Sequence, residues 1–310
     1  MSIDLEPGTQ TGTQAGTPGA TGQGMPVGLS PGASIDSMRP PTFGQGIVVS
    51  VGVAVAVFVL AFMALGDGDG SRIPLAQTTN ALFWGLATLV VAAVGAGAQF
   101  AERGAALAAT AVGRPRPDNA LATAWTVPVV STFAAILLVA TYHSRTMMIA
   151  GPAIAFFGTA GALLSRDLLD DAADAAYRTA TTIHTLVIHA IAFLALSAVY
   201  LNKLHGAIAV PLVGLIGGLL VLETLERANL DKQRRVLYAL LGGIALGEAM
   251  MALNWWPTHG WTGGAVLLVC FYLAAGILLA RAQRLAPRGR DLLEFGLVSL
   301  VALAILAFTA

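Results

Sequence analysis

From residue 46 onward the chain alternates long apolar runs with short polar connections. Nine runs stand out, at about 46–65, 80–99, 121–141, 147–164, 182–200, 206–224, 236–253, 262–280 and 292–309. A helix needs roughly 20 mostly apolar residues to cross ~30 Å of hydrocarbon at about 1.5 Å per residue, and each run approaches that length. The apolar residues are continuous rather than alternating, which predicts helices and not barrel strands. Pro152 interrupts the fourth run, and the ninth carries Glu294. The expected fold is all-α: a polytopic transmembrane bundle of about nine helices over residues 43–310.

Residues 1–42 break this pattern. They read GTQTGTQAGTPGATGQG and SPGASIDSMRPP, with too few apolar groups to offset the entropy of ordering. A disordered cytoplasmic tail is expected there. It lacks the basic segment followed promptly by a short apolar core that a cleavable leader needs.

Composition sharpens the class. The 310 residues are 56% hydrophobic and 11% charged, with a mean hydropathy of +0.75, whereas a soluble domain is about 25% charged. Formal charge balances at zero, and no zinc-finger, P-loop or dinucleotide fingerprint occurs, so nucleic acid is not an expected partner. The one cysteine, Cys270, rules out an intramolecular disulfide and a Cys-rich metal site. No cofactor announces itself. The expected surroundings are the lipid bilayer of a plasma (inner) membrane, with a small-molecule or ion substrate, a membrane protein partner or a second copy as possible ligands.

Basic residues set the expected orientation. Arg39, Arg103, Arg114, Arg116, Arg166, Arg178, Arg227, Lys232, Arg234, Arg235, Arg281, Arg284, Arg288 and Arg290 fall on one side, and only Arg72, Arg145 and Lys203 on the other. Fourteen against three places the N-terminus in the cytoplasm and the C-terminus outside. The stretch LNWWPTHGW, residues 253–261, then lies at the outer surface. Its Trp255, Trp256 and Trp261 read as interface anchors, because an indole joins an apolar ring to a donor. The alternative makes them, with His259, one wall of an outer vestibule.

Three intramembrane groups carry candidate chemistry. Glu248, in LLGGIALGEAMMALN, sits where a carboxylate must be neutralised, paired or wetted. Gly243 and Gly247 make a G-x-x-x-G step that admits another backbone, so Glu248 is expected to face a helix or a cavity rather than lipid. His184 and His189, in TTIHTLVIH, are five apart and so about 140° apart around one helix, which disfavours a metal held by that helix alone. They read as interhelical hydrogen-bonding groups, or as a proton path with Glu248. Pro128, Pro152 and Pro211 fall within the third, fourth and sixth runs, and Gly214 and Gly218 are spaced by four in the sixth.

SRDLLDDAADAAYRTA, residues 165–180, sets Asp167, Asp170, Asp171 and Asp174 in one helical stripe. Such a stripe is a solvated face, or a Mg²⁺ site that would bind a substrate phosphate. With nine helices and a cytoplasmic N-terminus, this D-x-x-D-D-x-x-D run resembles the intramembrane aromatic prenyltransferases, and the resemblance implies Mg²⁺-bound diphosphate. That family carries its motifs after helices two and six. Here those loops offer Asp118, and Glu223, Glu226 and Asp231, while the Asp run follows helix four. ETLERANLDKQRRVLYALLGGIALGEAMMALNWWP is similar to uncharacterised multipass membrane proteins of bacteria, a resemblance that implies no activity. Three readings follow: a transporter-like bundle built on Glu248, a non-catalytic scaffold or accessory subunit, and a prenyltransferase-like enzyme.

Overall fold

The computed structural model describes residues 42–65, 80–111, 122–169, 177–226, 228, 230–256, 260–283 and 289–309. The N-terminal tail expectation lies outside them, as do Asp170, Asp171, Asp174 and His259. Asp167 falls in the last turns of a helix, with its side chain outside the description.

All the described secondary structure is helical. The elements are α1 (Thr42–Ala64), α2 (Ala81–Ala111), α3 (Thr126–Tyr142), α4 (Met147–Leu169), α5 (Tyr177–Leu201), α6 (Gly206–Thr224), α7 (Lys232–Trp255), α8 (Thr262–Gln283) and α9 (Gly289–Thr309). Seven of them are long and apolar enough to cross a membrane; α3 and the apolar part of α9 are shorter. Large apolar side chains such as Phe62, Ile149, Phe157 and Leu186 stand exposed along the helices, as lipid contact requires of a surface that water would penalise. The chain is an integral membrane protein.

The short α3 is the hub. Thirteen of its seventeen residues are buried, and it packs against α1, α2, α4, α5 and α6. A helix that is apolar all round and carries no charge belongs in such an interior. Ala135, Ile136, Val139 and Ala140 join a core with α1, α2 and α4. Val127, Val130, Ala134, Leu137 and Leu138 join a second core with α5, α6, α7 and α8. Pro128 lies in the first turn of α3, where no amide hydrogen is needed. α9 packs chiefly against α8 at the edge.

The most extensive joint is α6 against α7. A Cβ built on Gly243 would lie 2.5 Å from the Gly214 carbonyl oxygen, and one on Gly218 would lie 3.1 Å from that of Ala239. The two G-x-x-x-G steps, Gly214–Gly218 and Gly243–Gly247, therefore meet backbone to backbone.

Candidate functional site

The second half of α2, the ends of α4 and α6 and the residues just before α3 converge on one guanidinium. Arg166, in the last turn of α4, is only 5% exposed. Its Nη1 donates to Glu223 Oε1 at 2.5 Å, and its Nη2 to Glu226 at 2.7–2.8 Å. Glu102 of α2 stands 3.5 Å from Nη2. The Thr123 hydroxyl, just before α3, donates to Glu226 at 2.7 Å. Glu223 and Glu226 are three apart, so both face the same way at the end of α6, and the planar fork of the guanidinium can address both at once. Removal of such a cluster from water costs several kcal/mol per ion, offset only by close pairing.

His184 completes it. Its Nδ1 lies 2.8 Å from Ser165 Oγ and its Nε2 3.5 Å from Glu223 Oε1. The Ser165 hydroxyl also lies 3.1 Å from the Ala162 carbonyl. When the hydroxyl donates to Nδ1, the ring is the neutral Nε2–H form; when it donates to Ala162, Nδ1 can carry a second proton and donate to Oγ.

The same wall borders a cavity of about 330 Å³ between α4, α5, α6, α8 and α9. Glu223, His184 and His189 line it, with Tyr177, Tyr272, Gln283 and Phe295. His189 Nδ1 donates to the Thr185 carbonyl at 2.8 Å, and its ring packs 5.4 Å from Phe271 and 6.1 Å from Tyr272. The Tyr272 and Phe295 rings meet edge to face at 5.6 Å. Although five residues apart, the two histidines share this space.

Glu248 is elsewhere. It is exposed and lines an open, largely apolar groove of about 600 Å³ along α6 and α7, with Gly214, Gly218 and Gly243. It faces this open groove and not the glycine joint itself, because successive residues of a helix point about 100° apart. Gly247 meets α6, and its neighbour is turned to the rim. His184 and His189 therefore line one cavity and Glu248 another. Trp255 and Trp256 stand exposed at the end of α7, whereas Trp261 stacks on Tyr142 at 6.3 Å and tilts against Phe193 at 5.7 Å. Glu223 and Glu226, weighed in the sequence as metal-binding acids, close on Arg166. Among the described residues no group of three or more His, Cys, Asp or Glu is arranged to hold a metal ion.

Arg166 is the residue that sequence reasoning passed over, counted there only as an orienting loop charge. The available signal was two charged helix ends of opposite sign, Arg166 against the Glu223/Glu226 pair, terminating apolar runs. Burial pushes the Glu226 carboxyl above the ordinary carboxylate range and Glu223 adds to the rise, against the opposing pull of Arg166 and the Thr123 hydroxyl. A raised folded-state value means that the fold binds this proton more tightly than the unfolded chain does. The resulting stabilisation is full below the unfolded value and is lost as pH rises through the folded one. The thermal midpoint in nanodiscs is thus expected to fall as pH rises from the ordinary carboxylate range. Glu226→Gln, which mimics the protonated acid, should flatten that fall; an unchanged slope would remove Glu226 as its source.

No curated protein and no solved structure matches the chain. The family described as a protein of unknown function (DUF5656) matches residues 70–309, most of the chain, and the chain belongs to that family.

Proposed function

We propose that this bundle is a membrane carrier for a small solute, with the Arg166 cluster and its adjoining cavity as the working site. The observation that carries this reading is the placement of a buried, multiply paired guanidinium, with a hydrogen-bonded histidine beside it, at the wall of a cavity between helices. Ionisable groups within membrane helices are costly, and their ordinary uses are substrate paths and proton relays. The excess of basic residues around this end of the bundle supports a cytoplasmic position for it. His184 and Glu223 stand together at the cavity wall, and His189 supports that wall. Trp255, Trp256 and Trp261 serve as interface anchors.

A carrier exposes its cavity to the two sides in turn. With Cys270 replaced by Ala, Ala275→Cys places a single thiol at a buried position of the cavity wall. Membrane-impermeant maleimide is expected to label it from either face of sealed proteoliposomes. Labelling from one face only would rule out the carrier. A second reading, an accessory subunit, draws on the open small-residue groove along α6 and α7; it predicts protection of this thiol from both faces.

A further inference from the structure

We infer that the cavity between α5, α6, α8 and α9 binds an organic cation, an aryl-bearing ammonium whose N–H groups are received by Glu223. The assignment rests on the reading of this cavity as the working site, and adds to it the chemistry of the ligand.

Three observations converge. Glu223 lines the cavity and is 2% exposed; its Oε1 takes Arg166 and His184, while its Oε2 is buried and has no partner among the described residues. A buried carboxylate oxygen is normally satisfied, so an unpaired acceptor on a cavity-lining residue marks where a donor belongs. The electrostatics select the sign of that donor. Among the described lining residues Glu223 is the one carboxylate and no Lys or Arg appears. Arg166 behind it is shared with Glu226 and Glu102, so three acids surround one fixed cation. The aromatic part of the lining selects the rest of the ligand. Tyr272 and Phe295 present a T-shaped aromatic pair, and the Phe295 ring lies where a Cβ on Gly276 would be, 2.7 Å from it. Aromatic faces attract ammonium groups and pack against aryl rings. A volume of about 330 Å³ falls at the small end of ordinary ligand pockets, which run from roughly 300 to 1,000 Å³.

The test uses the full chain in nanodiscs, with empty nanodiscs as the partition blank. Radiolabelled phenethylammonium is the probe, and 2-phenylethanol and 3-phenylpropionate are competitors of similar shape with zero and negative charge. Saturable binding is expected, with both competitors at least tenfold weaker. Glu223→Gln should weaken the probe by tenfold or more, and Tyr272→Leu, which leaves the ion cluster intact, by several-fold. If Glu223→Gln fails to fold, the Tyr272→Leu loss and the charge selectivity decide the matter. Equal competition by all three compounds, or preference for the carboxylate, would overturn the cation assignment and leave the cavity as a site for another ligand. Absence of saturable binding overturns it too, and labelling of Ala275→Cys then reports independently whether the carrier reading stands.

Discussion

Arg166→Leu is expected to destabilise the folded chain by about 3–5 kcal/mol, the usual cost of leaving a buried charge without its partner. Glu223 would be left 2% exposed with neither oxygen paired to a fixed cation, and Glu226 would lose its 2.7 Å contact. Glu226 still has the Thr123 hydroxyl and can take up a proton; Glu223 has only His184. Arg166→Lys should fall between, since a point charge cannot fork toward two carboxylates. Arg166→Leu combined with Glu223→Leu should recover much of the loss, because the removal of both members of a buried pair is often near neutral. The measurement is the thermal midpoint and monodisperse yield of each variant in one detergent. Parental stability in Arg166→Leu would show that this clasp does not join α4 to α6.

The bundle was legible from the sequence because a bilayer demands about 20 apolar residues per crossing and tolerates few alternatives. The ends were less so. α2 runs on to Ala111 past Glu102 and Arg103, where polarity suggested a loop but alanines continue the helix. The first turn of α3 begins only at Thr126. The site was hidden for a different reason. A charge in the last turn of an apolar run looks the same whether it meets water or another helix, and only the packing of α4 beside α2 and α5, with the end of α6 within side-chain reach, turns Arg166 inward. Glu248 shows the converse. Its neighbour Gly247 is at the joint, yet a helical step of about 100° puts the acid at the groove's rim. His184 was recognised as a polar group in the right helix, but its partners Ser165 and Glu223 come from α4 and α6, at separations that no local pattern encodes.

Gly243→Leu should separate α6 from α7, with a loss of stability at or above the ~1–3 kcal/mol typical of overpacking. The atom that a new Cβ would meet, 2.5 Å away, is the backbone oxygen of Gly214, and the Gly218 Cα follows at 3.3 Å. No flexible side chain can give way there, so one helix must move. Gly52→Ala is the contrast: it lies on the exposed side of α1 with nothing within 4 Å of the added methyl, and a helix-interior Gly→Ala change gains up to ~1 kcal/mol where space allows. Opposite signs are expected in thermal unfolding followed by helical circular dichroism. Equal midpoints for Gly243→Leu and the parent would mean that the close α6–α7 approach is not needed for the fold. The effect should also reach the site. Gly214 and Gly218 seat the helix whose last turns carry Glu223, and Glu223 meets Arg166 at 2.5 Å, so a displaced α6 draws the carboxylate off the guanidinium. Gly243→Leu is therefore expected to weaken phenethylammonium binding as well, although Gly243 does not line that cavity. Retained affinity in a destabilised Gly243→Leu variant would instead show that Arg166 holds Glu223 in place without help from the glycine joint.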